Sequence, residues 1–146
     1  MVKSTKTQAR AKKRTQQPHV STDARKQIWI FDSVDNDGDF RFAPGKEHSE
    51  QVLDKIVHYS KRKWSEIKSE GHGAEGKSKH HYLDFDSLSP AAKKRVDALC
   101  LNEDDKESIF SMRLEGKIRI IGLRDGEKFI VKWFDPNHGF CPSTKR

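Results

Sequence analysis

The sequence is poor in cysteine and has no long apolar run. Its 146 residues include two cysteines, Cys100 and Cys141, whose separation does not match the close pairs of zinc sites. No stretch approaches the roughly 20 apolar residues that cross a bilayer, and no secretory apolar segment precedes the cysteines. Hydrophobic residues make up only 33% of the chain, so the core must be small. We therefore expect one cytoplasmic domain without a membrane span, a metal site or another cofactor.

Charge is abundant but unevenly distributed. The chain has 29 lysines and arginines against 22 aspartates and glutamates. Residues 1–26 hold eight of those cations and a single acid, whereas residues 27–146 hold 21 charges of each sign. The N-terminal segment also lacks the apolar residues that would offset the entropy lost on ordering. We expect residues 1–26 to form a disordered basic arm and residues 27–146 to form a single α+β domain.

The basic arm has two interpretations. Lys12, Lys13 and Arg14 form a run of cations that can contact the phosphates of RNA or DNA. Alternatively, the arm contacts an acidic protein or only keeps the chain soluble. The first interpretation makes these three residues candidate nucleic-acid ligands.

Apolar spacing predicts the elements in the first part of the domain. Residues 27–31 alternate as a short strand, and residues 40–42 return as a second one. Residues 47–68 have helical spacing, as one long helix or two shorter ones. Residues 90–100 form a further helix, with Ser89 as its N-cap. The remaining stretches are predicted loops: residues 69–79, which are rich in glycine, and residues 102–107, which are acidic.

The most informative part of the sequence is its last third, residues 108–138. Three β-rich runs are separated by Glu115-Gly116 and by Asp125-Gly126, and an Asp-Gly pair is a strong hairpin signal. Alternation puts large apolar side chains on one face, which must pack on the helices. That face carries Phe110, Met112, Leu114, Ile118, Ile120, Phe129, Val131 and Trp133. Together with the N-terminal strand, these runs predict a small antiparallel sheet packed on two or three helices.

The opposite face of this three-stranded meander carries a candidate site. Arg113, Arg119 and Lys132 lie there on adjacent strands, together with apolar residues that include Phe134. A solvated sheet face has the same pattern. Three converging cations can also bind a phosphodiester and stabilise the charge that develops on it during cleavage.

Histidines and one further lysine extend the candidate site. His138 follows the third strand, and a histidine can act as a general acid or base near neutral pH. A histidine after Asp-Pro-Asn can also be a simple turn residue. His80 and His81, at the edge of the glycine-rich loop, and Lys117, in the first turn of the meander, are candidate nucleic-acid ligands.

These elements and motifs resemble those of the RelE/ParE toxin superfamily, which includes the HigB and YoeB types. The run R-L-E-G-K-I-R-I-I at residues 113–121 is similar to the second and third strands of that family, and K-W-F-D-P-N-H at residues 132–138 is similar to its closing strand. The resemblance implies a RelE-like fold and a metal-independent endoribonuclease that cuts messenger RNA on the ribosome. It also implies that Arg113 and Arg119 hold the phosphate and stabilise the transition state, and that His138 is the C-terminal acid or base.

The resemblance leaves two functions open. A toxin of this kind has RNA, the ribosome and an antitoxin protein as partners. ParE members share the fold without this nuclease activity, so the fold does not decide the function. The cationic face can therefore belong instead to a non-catalytic module that binds nucleic acid or protein.

Overall fold

The computed structural model describes residues 20–71, 78–99 and 101–142. They form an α+β fold in which helices pack on a five-stranded sheet, so the α+β part of the prediction is confirmed. In these ranges no helix has the length and apolar character needed to cross a membrane. Lys12, Lys13 and Arg14 lie outside the described residues.

The end of the predicted arm is attached to the domain. Helix α1 (Val20–Asp23) brings the Asp23 carboxylate to Arg124, which donates to it at 2.6 Å, and to Lys68, whose Nζ donates at 3.1 Å. The Arg124 side chain is fully buried, and its guanidinium lies 4.0 Å from the centroid of the Trp64 ring. A buried cation is stable only when it is paired. Asp23 therefore neutralises a cation in the interior and fixes α1 to the sheet.

The helical stretch predicted at residues 47–68 consists of two helices. They are α2 (Gly45–Ser60) and α3 (Trp64–Ser69). The carboxylate of Glu66 accepts a hydrogen bond at 3.0 Å from the backbone nitrogen of Lys63, which satisfies a donor just before α3 begins. The second of the two alternatives is therefore the correct one.

Side-chain caps begin the later helices. A short 3₁₀ helix, Phe85–Ser87, is followed by α4 (Pro90–Ala98), where the Ser89 hydroxyl accepts from a first-turn backbone nitrogen at 3.2 Å as expected of an N-cap. The acidic loop predicted before the meander is wrong, because α5 (Glu103–Glu107) forms there. The Asn102 side chain accepts from the backbone of the first turn at 2.8 Å, and acidic side chains in that turn favour a helix start.

The sheet has five strands rather than the four expected. They are β1 (Ile28–Ile30), β2 (His81–Tyr82), β3 (Ile109–Glu115), β4 (Ile118–Asp125) and β5 (Lys128–Asp135), in the order β1-β5-β4-β3-β2. The meander pairs antiparallel as predicted, but β1 pairs parallel with β5, so the sheet is mixed and the antiparallel prediction is wrong. Residues 40–42 form no strand. The direction of β1 depends on the long connection through the helices, which local alternation does not reveal.

A β-bulge reverses part of the predicted alternation. The pairing of β4 with β5 shifts between Ile121 and Gly122, which leaves Lys132 as an extra residue in β5. A β-carbon at Gly122 would lie 2.3 Å from a carbonyl oxygen of β5, so this close approach requires glycine. After the bulge, Trp133 and Phe134 lie on exchanged faces, and both predicted orientations are wrong. Side chains alternate between the two faces of a strand, so one extra residue moves every side chain after it to the opposite face.

Apolar clusters cover both faces of the sheet. One packs the sheet against α2 and α3 and contains Val52, Tyr59, Trp64, Ile67, Phe110, Met112, Leu114, Ile120, Phe129, Val131 and Phe134. The other packs the sheet against α4 and contains Phe40, Leu83, Leu88, Ala92, Val96, Ile109, Ile121, Leu123, Trp133 and Phe140. The face that alternation assigns to solvent is therefore partly covered.

Candidate functional site

Two arginines lie directly opposite each other across the first hairpin of the meander. In the register of β3 and β4, Arg113 pairs with Arg119. Both side chains donate to the carbonyl oxygen of Gly116 in the connecting turn, from Nε of Arg113 at 3.1 Å and from a terminal nitrogen of Arg119 at 2.9 Å. Like charges directly opposite each other destabilise a sheet. The hairpin thus holds two cations that converge on one acceptor, which suits the binding of an anion.

A tight turn after β5 holds His138 beside this pair. Asp135 is only 1% exposed and lies opposite Arg119 in the sheet register. Its two carboxylate oxygens accept from the backbone nitrogens of Gly139 and Phe140, each at 2.9 Å. His138 has a φ of 59°, in the left-handed region that is costly for a residue with a β-carbon. Such strain persists where neighbouring bonds impose it, and it is often found at functional sites.

The cationic pair and His138 share one cavity. Arg113, Arg119 and His138 line a cavity of about 300 Å³, which His81 of β2 and Asp135 also line. Strands β3 and β4 form its floor, and β2 and the turn after β5 form its two sides. A cavity of this volume is at the lower end of the range for small-ligand sites. The three residues predicted to be catalytic therefore lie close together.

Burial and the neighbouring charges lower the pKa of His138. Burial lowers the pKa of His138, and the charge of Arg119 lowers it further; Arg113 and His81 act in the same direction, and Asp135 opposes them. The imidazole is therefore neutral at neutral pH and can accept a proton. Burial and the charge of Arg113 also lower the pKa of Arg119, but a guanidinium stays charged in proteins. The cavity combines a proton acceptor with two fixed cations.

The two neighbouring histidines have different surroundings. His81 lines the cavity, and its Nδ1 lies 3.1 Å from the carbonyl oxygen of Tyr82. His80 is buried instead, with Nε2 at 2.9 Å from the Glu70 carboxylate and Nδ1 accepting from the backbone nitrogen of Arg113 at 3.0 Å. Burial lowers the pKa of His80 to about 4, although Glu70 opposes this shift. His80 therefore holds the strand that carries Arg113 and is not one of the residues that line the cavity.

The two lysines of the meander that were predicted to bind nucleic acid do not line the cavity. Lys117 is exposed in the turn between β3 and β4. Lys132 is the extra residue of the bulge, and its Nζ donates to both the carbonyl oxygen and the hydroxyl of Ser33, each at 3.0 Å. Without the bulge, alternation would have kept Lys132 on the same face as the arginines. Lys132 therefore supports the loop after β1.

Among the lining residues that sequence reasoning missed are Asp135 and Ser111. Asp135 positions the turn that carries His138, and an aspartate before a Pro-Asn turn commonly accepts from backbone nitrogens that follow it. That turn signal would have identified it. Ser111 also lines the cavity, and it lies two residues before Arg113 on the same face of β3, so alternation already placed it there.

Comparisons with known proteins found no relative of the chain. No protein-family model matches it, and neither does a curated protein or a solved structure. The resemblance to RelE/ParE toxins therefore depends on the sequence motifs alone. Among the described residues, no group of three or more histidines, cysteines and acidic residues is arranged to hold a metal ion.

Proposed function

We propose that the protein is a toxin-like, metal-independent endoribonuclease that cleaves messenger RNA at the ribosome. The observation that carries the proposal is the single cavity lined by Arg113, Arg119 and His138. A proton acceptor beside two cations supports cleavage of RNA, because RNA supplies its own nucleophile in the 2′-hydroxyl group. The choice of messenger RNA and of the ribosome follows from the RelE-like motifs.

The arginine pair supports phosphate binding. Arg113 and Arg119 direct their donors towards the same point, the Gly116 carbonyl oxygen, and a phosphate beside that point can accept from both guanidinium groups. Charge grows on the phosphate oxygens during displacement, and fixed cations in a partly buried site stabilise it. The pair thus contributes to substrate binding, and it stabilises the transition state more than the bound substrate.

His138 supports the chemical step. Its neutral imidazole can accept the proton of the 2′-hydroxyl, so that the 2′-oxygen attacks the adjacent phosphorus. Asp135 keeps the turn in the conformation that holds His138 beside the arginines, because both of its carboxylate oxygens accept from backbone nitrogens of that turn. Asp135 is accordingly a positioning residue.

The proposed partners are RNA, the ribosome and an antitoxin protein, and the proposed compartment is the cytoplasm. The eight cations of residues 1–26, with Lys12, Lys13 and Arg14 among them, would add phosphate contacts outside the cavity. Exposed Lys117 would contact a phosphate that neighbours the scissile one. These contacts would strengthen binding and make it sensitive to salt.

Cleavage of a message on programmed ribosomes tests the proposal. We expect the wild-type protein to cut the bound message and Arg119→Ala to cut it about 10²–10³-fold more slowly, because one transition-state cation is lost. Arg41→Ala is the matched control, since Arg41 is exposed and donates to the carbonyl oxygen of Gly38. A message left intact by the wild type, or cut equally fast by Arg119→Ala, would reject the proposal. Growth arrest on expression gives the same comparison in cells.

Binding without cleavage is the second candidate function. Arg113 and Arg119 suffice to bind a phosphate, and this binding requires no histidine. The protein would then be a non-catalytic module that binds nucleic acid or protein through the same face. In that case Arg119→Ala weakens RNA binding, His138→Ala leaves it unchanged, and the message stays intact. Filter binding measured beside the cleavage assay distinguishes the two functions.

A further inference from the structure

The cavity contains a second histidine that the proposed step leaves unused. His81 lines it from β2, and His138 lines it from the turn after β5. Strands β3 and β4, which carry Arg113 and Arg119, lie between β2 and β5. Three strand spacings separate the backbones of the two sides by about 14 Å. The two imidazoles therefore approach the cationic floor from opposite sides.

The hydrogen bond of His81 determines which ring nitrogen can meet a substrate. The carbonyl oxygen of Tyr82 can only accept, so Nδ1, which lies 3.1 Å from it, carries a hydrogen. Nε2 is then the nitrogen that remains for a ligand. A histidine that carries a hydrogen on both ring nitrogens is a donor at each of them. In that form His81 can donate a proton to a substrate oxygen.

We infer that His81 is the general acid of the proposed ribonuclease and that His138 is its general base; the inference rests on the proposed function. His138 takes the proton of the 2′-hydroxyl while the 2′-oxygen forms a bond to phosphorus. The bond from phosphorus to the 5′-oxygen breaks, and His81 gives its Nε2 proton to that oxygen. The products are a 2′,3′-cyclic phosphate and a 5′-hydroxyl, with all atoms and protons accounted for.

The geometry agrees with the demands of this reaction. The attacking and leaving oxygens lie roughly in line at phosphorus, so the base and the acid must stand on opposite sides of the phosphate. His138 and His81 meet this condition, with the arginine pair between them. Arg119 lies on β4, next to β5 and therefore closer to the side of His138 than to that of His81. Burial lowers the pKa of His138, and the charge of Arg119 lowers it further, so the base is neutral.

An RNA with a 5′-bridging phosphorothiolate separates the two roles. Sulfur at the leaving position departs without being protonated, so loss of the acid slows cleavage of this substrate only a little. Loss of the base slows its cleavage as much as it slows cleavage of ordinary RNA. We expect His81→Ala to cut ordinary RNA about 10²–10⁴-fold more slowly and to cut the thio-substituted RNA within about tenfold of the wild-type rate. We expect His138→Ala to be slow on both. His58→Ala, at an exposed position of α2, should match the wild type on both.

Each other outcome has a defined meaning. A wild-type rate of His81→Ala on ordinary RNA, or slow cleavage of both substrates by this variant, would overturn the assignment and leave the nuclease proposal standing. Rescue of His138→Ala by sulfur would overturn it by reversing the roles. A wild-type protein that cuts neither substrate would reject the proposed function itself. If His81→Ala does not fold, His81→Asn, which keeps a donor for the Tyr82 carbonyl, provides the same comparison.

Discussion

Arg113 and Arg119 face each other across the hairpin of β3 and β4, and both donate to the carbonyl oxygen of Gly116. The sheet holds two like charges in direct opposition, which is unfavourable in the free protein. An anion bound between them would remove that cost. The pair is therefore better explained by ligand binding than by stability of the fold.

Replacement of either arginine by glutamine should separate stability from phosphate binding. We expect Arg113→Gln and Arg119→Gln to keep or raise the free energy of unfolding, by up to about 1 kcal/mol, because the repulsion is removed. Both should lose the stabilisation that inorganic phosphate gives the wild type. Urea unfolding in chloride and in phosphate at equal ionic strength measures both effects. Arg41→Gln, at an exposed position that does not line the cavity, should respond to phosphate like the wild type, and equal stabilisation of Arg119→Gln would contradict the interpretation.

The left-handed conformation of His138 can be tested by comparing two substitutions. His138→Gly should unfold at a higher temperature than His138→Ala, by about 1 kcal/mol in free energy, because glycine has no β-carbon to strain at a φ of 59°. Both variants should be inactive. At Asn137, which is not in this conformation, glycine should give no such gain over alanine. Equal stability of the two His138 variants would show that the turn carries no strain there.

Burial of His80 predicts a loss of stability in mild acid. Its pKa is about 4 in the folded protein and 6.5 in the reference state, so the unfolded chain binds more protons between these values. Stability is then fully present above pH 6.5 and falls as the pH is lowered towards 4, by at most about 3 kcal/mol. His138, whose pKa is also lowered, contributes in the same direction. Urea unfolding at several pH values measures the slope.

The variant His80→Gln isolates this contribution. Glutamine can still accept from the backbone nitrogen of Arg113 but does not titrate. We expect its stability to fall less between pH 6.5 and 4 than that of the wild type. Burial raises the pKa of Glu70, but the hydrogen bond from His80 and the neighbouring positive charges lower it more, so the pKa lies below the reference value of 4.5. Glu70 therefore changes the stability only below pH 4.5. A slope as steep as that of the wild type would exclude His80 as the cause.

The contact of Asp23 with Arg124 predicts which part of the N-terminal segment contributes to the stability of the domain. Asp23→Ala should lower the free energy of unfolding by about 3–5 kcal/mol, since the buried Arg124 would lose its counter-charge. Deletion of residues 1–19 keeps this pair and should leave stability unchanged. Asp32→Ala, at an exposed position, is the matched control. Denaturant unfolding of the three variants measures these free energies. A decrease of less than about 1 kcal/mol for Asp23→Ala would contradict the role of the pair.

Local pattern was sufficient to predict the meander and most of its apolar face. Phe110, Met112 and Leu114 recur at every second position of β3, and they lie together in the cluster that packs on α2 and α3. The pattern failed at Trp133 and Phe134, because the bulge opposite Gly122 depends on backbone contact between strands. It also failed at β1, whose parallel pairing with β5 is a contact between distant parts of the chain.

The candidate site could be predicted in part for the same reason. Arg113 and Arg119 share a face through simple alternation, and His138 follows the strand next to Arg119. Lys132 was predicted to join them, but the bulge directs it to Ser33. The different surroundings of His80 and His81 could not be predicted, because His80 lies just before β2 and this two-residue strand is too short to give a periodic signal.

The chemical ends of the cleaved RNA test the central claim most directly. On programmed ribosomes, we expect the wild-type protein to leave a 2′,3′-cyclic phosphate, or the 3′-phosphate formed from it, and a 5′-hydroxyl. A single 2′-deoxynucleotide at the mapped site should block cleavage there, since the nucleophile is missing. Fragments with a 5′-phosphate, or a deoxy-substituted message cut at the normal rate, would contradict the catalytic roles of Arg113, Arg119 and His138.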